Sequence, residues 1–542
     1  MKTLAFYLIP VLLLPAMFVN AQVPLLQGEN CFGGTDVDHG FSIQQTKDGG
    51  FIFAGSTASY NGDVRGNHGQ DDFWVVKLNK NGTLKWQKPL GGKGDDVAFS
   101  VQQTADAGYV VAGESNSFDG DVTGNHGNLD FWVVKLDGSG NLLWQKSLGG
   151  TNSDFATSLQ QTKDGGYIIA GGSYSLDGDV SGHHGPDYTA DYWLVKLDAG
   201  GNKQWVKSYG GSNGDIAQSV RQTKDGGYII AGNSTSNDGD VTGVHDFIYG
   251  DEWIIKTDAN GNLQWQKSLG GSDYEQANSI IQTTDNGYIA AGWSRSNDGD
   301  VTGNHGDYDF WITKLSSSGS IQWQKSLGGS GGDLAYSIEQ TKDNGYIVAG
   351  GTTSNNGDVT GWHGKEDFWI VKLDNNGIML WQKTLGGTEY EEARTVDQTR
   401  DGGYVTIGWS GWDHPNNGDV TGNHSNNYDV WVAKLSAGAL FADNLMQSSD
   451  DAQQLAVRPS AIEVKFSPNP AASFLSVTIT SVYGAVLLKI MNSSGKAMIE
   501  KTLEKSKGNY QQQLNVSALP AGLYYISVQS GNDVITRKFI KK

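Results

Sequence analysis

The chain has 542 residues, a formal net charge of -20, a single cysteine and, beside 75 glycines and only 10 prolines, 17 tryptophans and 22 tyrosines. Such acidity argues against nucleic acid and anionic bilayers as partners, because phosphate binding draws on concentrated lysine and arginine. The aromatic content excludes a disordered chain, the lone Cys31 excludes an intramolecular disulfide, and the glycines read as turn punctuation between short strands.

Residues 1–21 read as a secretory signal peptide: Lys2, an apolar run from Leu4 to Val19, and a cleavage context at Val19-Asn20-Ala21. No later stretch is apolar and long enough to predict a transmembrane segment, and the mature chain is expected to be a monomer.

Residues 22–440 repeat. The triplet Gly-Asp-Val recurs with its aspartate at Asp63, Asp121, Asp179, Asp240, Asp300, Asp358 and Asp419. Within one copy, "SLQQT", "YIIAGG", "YWLVKLD" and "KQWVKSY" are separated by Asp/Asn/Gly turns, which predicts four antiparallel strands. In the third of these Trp193, Val195 and Leu197 share one face and Tyr192, Leu194 and Lys196 the other, so both faces are largely apolar, as in a sheet stacked between neighbours. Seven four-stranded units predict an all-β fold, a seven-bladed β-propeller. The seventh copy lacks its last segment, and the N-terminal "LLQGENCFGG" aligns with what is missing, so a strand lent by the N-terminus is expected to close the ring. Gly28 stands there in place of the tryptophan of the other six copies, and Leu440 to Leu445 is the alternative donor. The layout of Gly-Gly, acid-x-Ala, "DGGY", "AG", Asp-x-Trp and "KL" over residues 31–436 resembles the β-propeller repeat of exported bacterial proteins known as the SBBP type, which implies a fold more than a function.

Residues 441–460 read as a linker and 461–542 as a small β-sandwich. This tail carries "FSPNPA" with Pro468, Asn469 and Pro470, a central "IMNSSGK", "LPAGLYYISV" with Gly522 and Tyr524, and a terminal "RKFIKK" with Arg537 and Lys538. It resembles the type A C-terminal sorting domain of the type IX secretion system of Bacteroidota. The resemblance implies that the secretion machinery is a partner and that the chain passes through the periplasm to the outer surface or the medium. It also implies a tail that is commonly cleaved, with the cargo released or attached to lipopolysaccharide.

The long loop between the second and third strands offers Asp298, Asp300 and Asp309 in one copy and Asp121 and Asp130 in another, with a histidine in every copy (His68, His126, His184, His245, His305, His363, His424). Asp, Asn and Gly clusters are ordinary turn chemistry, so the first reading is scaffold. The oxygen count keeps one Ca²⁺ per blade open as the sole cofactor candidate. Seven equal loops offer no asymmetry for acid–base catalysis, and no catalytic residue is assigned. A second ring of acids, Asp38, Asp96, Asp154, Asp215, Glu275, Asp333 and Glu391, is expected to pair with a backbone turn or with a blade lysine such as Lys135 or Lys196.

Recognition is sought where the copies differ. Trp293, Trp362, Trp409 and Trp412 exceed the repeat's own tryptophans, and with Tyr174 and Arg295 they are candidates for a surface that stacks on sugar rings or anchors a protein. The expected function is binding of an extracellular glycan or surface protein. An extracellular polysaccharide hydrolase or lyase is the alternative, disfavoured by the lack of a distinct pair of acids or a His-Tyr-Arg cluster, and a structural surface component is the third.

Overall fold

In the computed structural model the chain divides into two compact units, Met1–Asp443 and Asn444–Lys542. The structure describes residues 23–246, 248–411, 416–437, 462–467, 473–481, 486–491, 497–503, 508–520, 522–530 and 533–542. The signal-peptide segment, the 441–460 linker, Trp412 and the Pro468–Pro470 motif lie outside the described residues.

The first unit opens with β1 (Leu26–Phe32), followed by β2 (Asp38–Gln45), β3 (Phe51–Thr57), β4 (Asp72–Leu78) and β5 (Leu84–Leu90). Strands β2 to β5 form an antiparallel sheet in chain order, blade 1, and five further sheets of the same order follow as blades 2 to 6. Blade 7 consists of Tyr390–Gln398, Tyr404–Gly411 and Asp429–Leu435, completed on its outer edge by β1. Cys31 pairs with Trp431 and Phe32 with Val430, so the N-terminal strand closes the ring. Gly28 faces Lys434 just as Trp86 faces Lys77 in blade 1, which places it in the register of the missing tryptophan. The first strands of successive blades neighbour one another all the way round, and Tyr390–Gln398 returns to β2. The fold is a seven-bladed β-propeller with the first strands around a central channel.

Local sequence explains the blade. The "KDGG" turn needs a left-handed residue, and that position carries Gly49 at φ 85° in blade 1 but Ala107 at 66°, Asn286 at 67° and Asn344 at 64° in blades 2, 5 and 6. The third strand is buried along its whole length in blades 1 to 6, as two apolar faces require. Its tryptophan packs on the aromatic ring of the preceding blade's third strand: Phe73–Trp132, Phe131–Trp193, Tyr192–Trp253, Phe310–Trp369 and Phe368–Trp431 have centroids 4.4–4.6 Å apart.

Blade 4 breaks this rule with Glu252, fully buried where the other blades carry Phe, Tyr or Val. Thr313 of the next blade donates to Glu252 Oε1 at 3.0 Å, while Oε2 has no partner and burial pushes the carboxyl up to about 8.

The second unit holds two antiparallel sheets. Ile462–Ser467, Phe474–Ser481 and Gly508–Asn515 form one; Ala497–Leu503, Val486–Met491, Gly522–Ser530 and Asp533–Lys541 form the other. Leu475, Val477, Ile479, Leu488, Ile490, Leu514, Ile526 and Val528 fill a common core, which makes it a small β-sandwich.

Replacing a half-satisfied buried acid by a fitted apolar group is worth about 1–4 kcal/mol. Glu252→Phe combined with Thr313→Val, which restores the pair used elsewhere in the ring, is therefore expected to raise the melting temperature by a few degrees in calorimetry; a decrease would show the pair to be stabilising.

Candidate functional site

Each inner strand starts with a buried acid whose hydrogen bonds tie three segments together. Asp38 Oδ2 accepts from the Gly34 N–H and from the Ser59 hydroxyl, both at 2.8 Å, and Oδ1 accepts from the Thr57 hydroxyl. The equivalent bonds from the second glycine of the Gly-Gly pair recur at Asp96, Asp154, Asp215, Glu275, Asp333 and Glu391, each at 2.7–2.8 Å. The expected turn partner is therefore present, but the lysine partner is not. Lys135 and Lys196 instead reach the turn aspartates Asp106 and Asp164 at 3.0 and 3.1 Å and donate to the carbonyls of Leu136 and Leu197.

The loop histidine clamps the acid at the start of the third strand. In every blade the imidazole Nδ1 lies 2.5–2.8 Å from the carboxylate, and the histidine's own N–H donates to the same oxygen: His68–Asp72, His126–Asp130, His184–Asp191, His245–Asp251, His305–Asp309, His363–Asp367 and His424–Asp429. Asp298 accepts from the Ser272 N–H at 2.8 Å, and the N–H groups of Asp121 and Asp300 donate to Gly91 and Gly270. The five aspartates considered as calcium ligands thus make internal hydrogen bonds, and no group of three or more potential metal ligands is found among the described residues. Across each blade junction two carboxylates approach so closely that a Cβ on the intervening glycine would collide with both; Gly91 sits between Asp72 and Asp96 in this way.

Burial pushes these acids up, to about 7 at Asp38, Asp215 and Glu391 and about 6 at Asp72, Asp154, Asp333, Asp367 and Asp429, while their hydrogen bonds hold them back. A raised carboxyl stabilises the fold below its unfolded value and loses that contribution as pH rises through the folded one. The turn aspartates Asp106 and Asp285 run the other way, drawn down to about 2 against their burial by threonine, backbone and lysine donors. The melting temperature is therefore expected to peak near pH 4 to 5, falling towards pH 7 as the junction acids ionise and towards pH 2 as the turn acids protonate. A monotonic rise from pH 4 to 7 in scanning calorimetry would refute this.

The sevenfold repetition fails inside the channel. A bulge in each inner strand turns one extra side chain inward: Phe41, Phe99, Thr157, Gln218, Asn278, Tyr336 and Arg394. These residues surround a cavity of about 330 Å³. Near the start of the inner strands Arg394 Nη1 stands 2.7 Å from Glu392 Oε1, and its guanidinium carbon lies 3.8 Å from the Tyr336 ring centroid, 5.2 Å from Trp409 and 5.5 Å from Phe41. His39 meets Trp409 edge-on at 4.8 Å, and Trp293 meets Tyr336 at 5.6 Å. Glu366 belongs here too, since a Cβ on Gly351 would collide with its Oε1 and its carbonyl accepts from the Glu391 N–H at 2.9 Å. Burial and Glu392 push Glu366 up to about 8 despite Arg394; burial and Arg394 push His39 down to about 4.

The structure thus corrects the sequence reading on one point. A His-Tyr-Arg cluster with two unlike acids does exist, assembled from residues 39, 336, 366, 392 and 394. Of the aromatic candidates Trp293 and Trp409 join it, and Tyr174 lies on Phe155, a channel residue, with centroids 6.3 Å apart. Trp362 packs against the core between blades 5 and 6. Arg295 turns to Asp307 at 3.1 Å and lies over Tyr308. In the tail, Tyr524 is buried and donates to the Pro520 carbonyl at 3.1 Å, Gly522 begins the same strand, and Arg537 and Lys538 lie in Asp533–Lys541.

Residues 465–542 match the family of secretion system C-terminal sorting domains, so the tail is a sorting domain of the type IX system and the protein is delivered to the cell surface or beyond. A stretch of 160 residues is 28% identical to the regulatory protein FlaEY of Caulobacter vibrioides, covering 28% of this chain and 17% of that protein. The chain is also similar in structure to PorZ, a surface component of the type IX secretion system of Porphyromonas gingivalis (TM-score 0.42, 11% identity, 95% of this chain and 60% of that one). Sqt1 from Chaetomium thermophilum gives a TM-score of 0.40 at 12% identity, over 76% of this chain and 99% of its own. Removal of residues 462–542 is expected to leave the protein in the periplasm in cell fractionation; surface delivery of that variant would contradict the sorting role.

Proposed function

We propose that the protein is an extracellular binding module that takes a glycan at the mouth of its channel, across blades 5, 6, 7 and 1. The observation that carries this reading is where the repeat breaks down. Positions that hold the blades together are copied nearly seven times over, whereas the channel side chains differ from blade to blade and gather Trp293, Trp409, Phe41, Tyr336 and Arg394 at one arc. Aromatic faces and edges next to amide and guanidinium donors suit the apolar faces and hydroxyls of sugar rings. A rigid ring holds these groups without ordering cost on binding.

A second reading has one observation in its favour. Glu366, pushed up to about 8 by burial and Glu392, stands close to Glu392, which pairs with Arg394 at 2.7 Å, and two acids in unlike environments are what glycosidic cleavage requires.

Both readings are tested with immobilised polysaccharides. Trp293→Ala with Trp409→Ala is expected to weaken retention more than tenfold at the expense of a few degrees of melting temperature, because truncating central aromatic anchors removes roughly 2 kcal/mol or more. Undiminished retention would exclude the mouth as the binding site. Release of sugar ends that stops on Glu366→Gln would make the protein an enzyme.

A further inference from the structure

Deeper in the channel, three residues past the bulge, the inner strands present another position: Gln44, Gln102, Gln160, Arg221, Ile281, Glu339 and Asp397. In five blades this side chain serves the scaffold. Gln44, Gln102 and Gln160 accept from the N–H of Gln103, Gln161 and Gln222 at 2.6–2.9 Å, Glu339 accepts from Gln398 at 3.1 Å, and Asp397 accepts from Gln45 at 2.7 Å. A guanidinium has no acceptor, so Arg221 gives this junction bond up.

What Arg221 does instead is unbalanced. Its Nη1 donates to the Val220 carbonyl at 2.8 Å and to Ser158 Oγ at 3.2 Å, both neutral groups. Nη2 and Nε remain for the cavity that the side chain lines, and no carboxylate of the described residues stands within 4 Å of the guanidinium. Burial lowers its pKa, with Glu339 opposing, as expected of a cation poorly compensated by its surroundings. The acids at the same level are already engaged. Glu339 and Asp397 bond each other, burial holds Glu339 up at about 8, and Lys342 and Arg400 offset the charge of Asp397. Arg221 is half-buried and lines the cavity with no carboxylate in contact, which leaves its guanidinium open to an anion that enters the channel.

We propose that Arg221 forms the floor of a carboxylate socket, so that the channel takes the acidic end of a uronate-bearing glycan. The assignment rests on the glycan reading above and adds to it the charge of the sugar. The planar fork left by Nη2 and Nε matches a carboxylate in bidentate fashion. The cavity of about 330 Å³ is of the size that takes a small ligand, and Gln218 lines its wall with an amide suited to hydroxyls. Arg394, already tied to Glu392, is left to hold the aromatic mouth.

Arg221→Gln is the informative variant, because Gln44, Gln102 and Gln160 show that glutamine folds at this place in the ring. Binding to the full chain is measured by calorimetry with D-galacturonate and D-glucuronate, against galactose, glucose and succinate. A uronate is expected to bind at least tenfold more tightly than its neutral counterpart, and Arg221→Gln to abolish that difference with the melting temperature within a few degrees of the parent. Uronates that bind no better than neutral sugars, or an undiminished preference in Arg221→Gln, would overturn the socket. Succinate binding as tightly as the uronates would overturn the sugar assignment. Trp409→Ala separates the two levels: loss of neutral-sugar retention with the uronate preference intact supports the socket, whereas a uronate preference that depends on Trp409 and not on Arg221 refutes it.

Discussion

The propeller depends on a carboxylate buried at the start of every inner strand, where burial without compensation would cost several kcal/mol. Compensation comes from three places at once: the Gly-Gly connection between blades, the end of the second strand, and the serine that begins the long loop. Much of the repeat's fixed vocabulary follows. The first glycine of the pair must lack a Cβ because two junction carboxylates crowd it, the second must present its N–H to the inner-strand acid, and the loop must return a hydroxyl to the same site. The histidine performs the same service for the other carboxylate of the junction, which accounts for its recurrence in all seven copies.

A second circuit runs near the other end of the inner strands. The last glutamine of each one accepts the N–H of the neighbouring blade's turn: Gln103 from Lys47, Gln161 from Ala105, Gln222 from Lys163, Gln282 from Lys224, Gln340 from Thr284, Gln398 from Lys342 and Gln45 from Arg400. The last of these joins blade 7 to blade 1, so side-chain bonds close the ring as well as β1 does. With both ends of the inner strands fastened, the bulge position between them varies from blade to blade, although Thr157 and Asn278 there still donate to the carbonyls of Ala217 and Ala335 in the next blade. Variation is thereby tolerated at the bulge while the ends of the strand stay fixed, the condition under which a rigid array can vary its inner surface.

The sequence disclosed the features that repetition amplifies. Seven copies, four strands in each, a borrowed closing strand and a tail with its own motifs all follow from period and pattern. Of the two partners expected for the inner-strand acids the backbone turn is present and the lysine is not, because Lys135 reaches Asp106 in the turn between the first two strands, and nothing in the spacing separates Asp106 from the inner-strand acids as its partner. The histidine clamp was partly visible, since each histidine precedes its aspartate by four to seven residues, but the variable insertions between them suggested a loop and not a bond. Trp293 and Trp409 stood out by being surplus to the repeat. His39, Tyr336 and Arg394 did not, because only ring closure brings residue 39 beside residue 394, and the bulge that turns Tyr336 and Arg394 inward leaves no mark in the repeat pattern.

Arg221 and Ile281 both abandon the acceptor that the other blades place at their position, so each gives up the same junction bond. For Ile281 the structure supplies the compensation: it packs against the core between blades 5 and 6, and apolar burial offsets a lost hydrogen bond of about 1 kcal/mol. Arg221 replaces it only in part, with one bond from Nη1 to Ser158 Oγ of the preceding blade at 3.2 Å. It brings a charge to the channel wall, bonds only neutral groups, and lines the cavity with the rest of its guanidinium. The donors that no carboxylate of the described residues meets have their natural counterpart in an anion that enters the channel.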